Sequence, residues 1–115
     1  MNEINYLQLE ALVLSWLKDR CIIPNATPVS QLLKAVSEMG ELADAVNKSH
    51  RDGIRDAVGD VLVCLISFCE LQQLTITECL GSAYNEIKDR KGTLLLNGCF
   101  VKEGDELFEL CKRQP

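Results

Sequence analysis

Between Thr27-Pro28 and the breaker NKSHRDG, apolar side chains recur as Val29, Leu32, Leu33, Val36, Met39, Ala43 and Val46. Steps of three and four residues match the turn of an α-helix and no strand period, so the segment lines up one apolar stripe only as a helix. Thr27 is placed to cap it, and Pro28 suits a first helical position, where a missing N–H costs nothing. Three more segments behave alike. A first helix is expected from about Glu3 to Arg20 with Asn2 as N-cap. A third is expected from near Ile54 to Gln73, with Ile54, Val58, Val61, Leu65 and Phe68 on one face. A fourth runs from a Thr75 cap to near Lys91, before Gly92. Beyond it, TLLLNGCFVKEGDELFELCKRQP holds an Asn-Gly pair between short apolar runs, a hairpin signal. Short loops and the lack of a low-complexity linker give one domain, residues 1–115. It is all-α: a four-helix bundle over about 3–91 and a short irregular or hairpin tail over 92–115.

The 115-residue length supports a core without staples. A net charge of −5 argues against binding a nucleic-acid polymer, which calls for a basic face. Six cysteines could suggest disulfides, but no C-x-x-C pair occurs, and Cys64, Cys69 and Cys79 sit in helical, largely apolar surroundings. The opening MNEINYLQLE has no basic region followed by an apolar run, so the expectation is a cytoplasmic protein whose cysteines are small buried hydrophobes. Zinc is disfavoured because His50 is the only histidine and no cysteine stands at ligand spacing from it. VLVCLISFC, residues 61–69, is too short to span a bilayer, so no membrane partner is expected. That run is apolar almost all round, so its helix is either central or covered by a second copy; a homo-oligomer, dimer or tetramer, is expected.

Two acidic pairs stand out. Glu38 and Glu41 lie opposite the apolar stripe of the second helix, with Lys34 beside them, and Asp56 and Asp60 share a face of the third opposite Val61 and Leu65. Exposed acids are commonly just solvated, but such acids usually have a cation four residues on. Here Leu42 follows Glu38, Ala45 follows Glu41, and Cys64 follows Asp60. Asp56 is followed by Asp60 itself, a like-charge pair that costs about 0.2–0.5 kcal/mol on an isolated helix. Gly59 costs about 1 kcal/mol more relative to alanine. If the acidic faces meet, four carboxylates cannot all stay ionised without compensation, and a hard divalent cation, Mg²⁺ with Mn²⁺ as the alternative, resolves the conflict.

EMGELADAV followed by DAVGDVLV resembles the all-α nucleoside triphosphate pyrophosphohydrolases of the MazG type. SWLKDRCIIPNATPVSQLLKAVSEMGELADAV and AYNEIKDRKG resemble the small single-domain members found in bacteria and phages, and the likeness covers most of residues 12–103. The resemblance implies a helix carrying E-x-x-E and a second carrying E-x-x-D that hold Mg²⁺ in a four-helix unit that oligomerises. It also implies cleavage of a nucleoside triphosphate between the α- and β-phosphates to a monophosphate and pyrophosphate. Glu38 and Glu41 then match the first pair and Asp60 the last acid, which makes these three the catalytic candidates and, with Asp56, the metal candidates. The glutamate expected three residues before Asp60 is Ala57; Asp56 substitutes either directly or through water.

The substrate-binding candidates each have a plainer alternative. Asn85 and Lys88 lie one turn apart with Arg90 near the helix end, as a phosphate-binding edge or as cations favouring the helix dipole. Lys34 reaches phosphate or pairs with Glu38. Trp16, the only tryptophan, stacks on a base or packs in the core. No phosphate-cradling glycine loop is present. The resulting expectation is a Mg²⁺-dependent nucleoside triphosphate pyrophosphohydrolase. Its competitors are a non-catalytic nucleotide- or metal-binding module and a structural helical adaptor.

Overall fold

The structure, a computed structural model, describes residues 3–106. In chain order it has α1 (Tyr6–Asp19), α2 (Pro28–Asn47), α3 (Arg51–Leu71), α4 (Ile76–Ile87), β1 (Gly92–Leu94) and β2 (Phe100–Lys102). The all-α expectation holds, with a small two-stranded hairpin following the helices. The described residues form two compact units, a first that ends at Glu78 and a second that begins at Cys79.

The helix starts follow their caps. Thr27 Oγ1 accepts from the Ser30 N–H at 3.1 Å and opens α2 as expected. Thr75 and Glu78 form a reciprocal capping box that opens α4, the Glu78 N–H donating to Thr75 Oγ1 and the Thr75 N–H to Glu78 Oε1. Asn5, rather than Asn2, caps α1: its Oδ1 accepts from the Gln8 N–H while Gln8 Oε1 accepts from the Asn5 N–H, each at 2.9 Å. A reciprocal pair satisfies two end donors, which a single side chain further out cannot do; Asn2 lies outside the described residues. α3 begins at Arg51, earlier than expected, because the NKSH breaker closes in one tight turn. There the His50 N–H donates to the Ala45 carbonyl, and Ser49 adopts a left-handed φ of 53°. That turn folds α3 back beside α2.

In the first unit α2 packs along α3, and α1 also packs on α3. Leu17 of α1 is the most buried large side chain, and Lys18 reaches Glu70 of α3 at 3.8 Å. The inward faces differ from expectation. On α2 the inner positions are Ala35, Glu38, Leu42 and Ala45, of which the alanines are buried and the other two half-buried. On α3 the same three- and four-residue steps pass through Ala57, Asp60, Cys64 and Ser67, and all but Asp60 are buried. The large apolar stripe of α2 points outward: Val29, Leu32, Leu33, Val36, Met39 and Val46 are 44–64% exposed, and Ala43 is exposed too. Val58 of α3 is exposed as well, with Ile54, Val61, Leu65 and Phe68 half-buried. Small side chains are what two closely approaching helices need between them, and that requirement sets the inner face here.

The second unit carries most of α4 and the hairpin. No residue of α4 is buried, and Leu80, Tyr84 and Ile87 are exposed. β1 and β2 pair antiparallel with Thr93 opposite Val101, around the Asn97-Gly98 turn expected from the sequence. Gly98 sits at φ 88°, where a side chain would be strained. Cys64 and Cys69 are buried as expected, but Cys79, like Cys21 and Cys99, is exposed because α4 presents no buried face; Cys111 lies outside the described residues.

Candidate active site

The antiparallel run of α2 beside α3 creates two clefts that share Asp60. The first, of about 410 Å³, is acidic: Glu41, Asp44, Asp56 and Asp60 line it, with Lys48 and His50 at the turn. The second, of about 690 Å³, has Lys34, Glu38 and Asp60 at its polar side and Trp16, Leu17 and Cys64 among its apolar walls.

Glu38 is the electrostatic focus. Its carboxyl is pushed above the ordinary carboxylate range, first by a hydrogen bond with Glu41, then by burial and by the charges of Glu41 and Asp60, with Lys34 opposing. Its Oε2 is buried without a hydrogen-bond partner. Burial pushes the neighbouring Cys64 thiol up as well, aided by the charge of Glu38. A buried carboxylate oxygen beside two more carboxylates is a set of hard oxygen ligands of the kind divalent cations take. The donor chemistry therefore fits a divalent metal. Among the described residues, however, no three acidic, histidine or cysteine side chains already stand close enough to hold an ion. The four acidic candidates surround two adjoining clefts rather than meeting at one point.

Of the sequence candidates, Glu41, Asp60 and Lys34 each act on Glu38, and Asp56 shares the acidic cleft with Glu41 and Asp60. Trp16 lines the second cleft 47% exposed, with the Arg20 guanidinium 5.4 Å from its ring centroid, so core packing does not describe it. Asn85 lies on α4 in the second unit. Because α4 ends at Ile87, Lys88 and Arg90 follow the helix instead of lying inside it. In the acidic cleft, Asp44, Lys48 and His50 are the polar residues that sequence reasoning missed, and in the second cleft Asn25 and Gln31. Asp44 continues the three-residue spacing of Glu38 and Glu41 and was legible; Lys48 and His50 owe their place to the turn, which leaves no periodic signal.

A family model for the MazG nucleotide pyrophosphohydrolase domain matches residues 26–95, more than half of the chain. The chain belongs to the MazG family. An uncharacterised 18.2 kDa protein from the rep-hol intergenic region of Haemophilus phage HP1 is 37% identical over 51 residues, 44% of this chain. The match spans 31% of that phage protein's own length. Among solved structures, a MazG-like pyrophosphohydrolase of cyanophage S-2L, bound to dGDP and three catalytic Mn²⁺ ions per active site, has the same fold. Its TM-score is 0.63 at 23% identity, over 88% of this chain and 99% of that one. Within this MazG chain, Ala57 is 4% exposed and lines the acidic cleft, where the family resemblance would place a carboxylate.

Proposed function

We propose that this MazG-family protein is a divalent-metal-dependent nucleoside triphosphate pyrophosphohydrolase that releases a nucleoside monophosphate and pyrophosphate. The observation that carries the reading is the buried, unpartnered Glu38 Oε2 beside Glu41 and Asp60. The nucleotide and Mn²⁺ held by the cyanophage protein support it. Glu38, Glu41 and Asp60 would hold Mg²⁺ or Mn²⁺, with Asp56 reaching it directly or through water. When bound, the metal supplies charge neutralisation at the phosphates and a more acidic attacking water. Lys34, on the same α2 face as Glu38, offers a cation to the phosphate chain. A carboxylate of the set not fully engaged takes the proton of the water attacking phosphorus, and the α–β bridging oxygen leaves with pyrophosphate.

A homo-oligomer is part of the same reading, because the outward stripe of α2 offers a second copy a continuous apolar face. Ala57 favours a second reading, a MazG module that binds nucleotide without turnover. A nucleotide panel assayed for pyrophosphate with and without Mg²⁺ separates the two. Metal-dependent release that disappears in Glu41→Gln supports the hydrolase. Tight binding with no release, restored to turnover by Ala57→Glu, supports the module. A Glu41→Gln variant as active as the parent sinks the site assignment.

A further inference from the structure

The acidic cleft is not acidic throughout. Glu41, Asp44, Asp56 and Asp60 supply its carboxylates, and Lys48 and His50 stand at the turn between α2 and α3. That turn is tied at three points. The Lys48 N–H donates to the Asp44 carbonyl, the Ser49 N–H to Val46 and the His50 N–H to Ala45, each at 3.0 Å. The His50 imidazole lies against the first turn of α3, where a Cβ added at Gly53 would come within 2.5 Å of its Nδ1. Glycine leaves the ring a space that any other residue would fill. Among the described residues neither cleft donor is committed to a carboxylate: Lys48 forms no ion pair with Asp44, one turn before it, and His50 makes no side-chain capping bond. His50 is also the N-cap of α3, so the first amides of that 21-residue helix open at the same end.

Asp60 is common to both clefts, so a phosphate chain held at Asp60 has two directions open to it. In the second cleft the walls beyond Lys34 are largely apolar, with Trp16, Leu17, Ile22 and Val63 among them, and offer little to a multiply charged group. In the first, Lys48, His50 and the α3 amides are donors beyond the acids, around a volume of about 410 Å³. We propose that Lys48 and His50 bind the pyrophosphate end of the substrate, its β- and γ-phosphates, and that Gly53 positions His50 to do so. The proposal rests on the hydrolase reading. As the bond from water to the α-phosphorus forms, the bond from that phosphorus to the α–β bridging oxygen breaks, and its electron pair stays on pyrophosphate. Donors already in place at that end hold the added negative charge. The intervening carboxylates repel bare pyrophosphate, so this subsite binds it only in the presence of divalent metal.

Binding of the product supplies a readout independent of turnover. Pyrophosphate is titrated into the protein by calorimetry at saturating Mg²⁺, and Mn²⁺ is titrated separately into the metal-free protein. Lys48→Gln should weaken pyrophosphate binding about ten- to a hundredfold, the size of one charge-assisted hydrogen bond, and His50→Gln about two- to tenfold. Lys48→Arg should keep most of the affinity. Mn²⁺ affinity should stay level or tighten in both glutamine variants, since neither removes a carboxylate. Gly53→Ala should match His50→Gln in pyrophosphate affinity while its melting temperature, followed by circular dichroism, holds or rises, because alanine favours a helix. Pyrophosphate affinity untouched in Lys48→Gln and His50→Gln overturns the proposal. So does a loss of Mn²⁺ affinity in step with it, which would make the pair supports of the metal site. Affinity untouched in Gly53→Ala overturns the positioning role. Pyrophosphate release from nucleotides by a parent that binds pyrophosphate no better than Lys48→Gln sinks the subsite and spares the hydrolase reading. Lys48-dependent pyrophosphate binding with no release from any nucleotide does the reverse.

Discussion

The inner and outer faces of α2 divide the work between them. Inside, Ala35 and Ala45 of α2 and Ala57, Cys64 and Ser67 of α3 are buried where the two helices pack, and Glu38 and Asp60 share the same helix sides as these small residues. Outside, Val29, Leu33, Val36 and Met39 remain more than half exposed. Little apolar volume is spent between the two helices, so carboxylates from both reach shared clefts. The large apolar side chains are left for another surface, where burying each is worth about 1.5–3 kcal/mol. The inner face thus carries the candidate site, and the outer face is the surface proposed for a second copy.

The largest expected effect comes from the inner face. Asp60→Asn should bring pyrophosphate release to background while the metal-free melting temperature stays level or rises, since Asp60 is one source of the repulsion on Glu38. A strongly lowered metal-free melting temperature would make Asp60 a structural acid and break the division. On the outer face, Leu33→Glu together with Val36→Glu should convert the oligomer to monomer by light scattering, losing about 3–6 kcal/mol of assembly stability for two side chains. A parent protein already monomeric at micromolar concentration would remove the proposed role of that face.

A smaller effect follows from the pH. The folded Glu38 carboxyl binds its proton more tightly than an unfolded glutamate at about 4.3, so in the window between those values the folded state holds more protons. Its contribution to stability is therefore present at the acid end and is lost as pH rises through the folded value. Metal-free melting temperature should climb on acidification towards about pH 4.5, and more steeply in the parent than in Glu38→Gln. Identical slopes would mean the acids of the inner face do not repel one another. The smallest effect concerns Gly59, where an added Cβ meets nothing within 4 Å. Gly59→Ala should gain about 1 kcal/mol from helix propensity alone. A loss would show instead that a second surface comes against α3 at that point.

Much of the fold was legible because caps and periodicity are local. Thr27, Thr75 and the Asn97-Gly98 turn mark their elements through hydrogen bonds within a few residues. The three- and four-residue spacing also grouped Glu38 with Glu41 and opposed them to the stripe. It could not say which side faces α3. Periodicity identifies a side that avoids water without identifying what covers it, so a stripe of large apolar side chains reads the same whether α3 or another surface meets it. Asn25 and His50 were equally hidden, since each reaches its cleft through a turn.

Sequence by itself determined four helices, their order, and the alignment of acids along two of them, because each depends on neighbours one turn away. Only the tertiary structure decided that the small-residue side turns inward, that Glu38 Oε2 is buried without a donor, and that Asp60 is shared by two clefts. Those outcomes depend on how closely α2 and α3 approach, and close approach selects alanine, serine and cysteine between helices over leucine and valine.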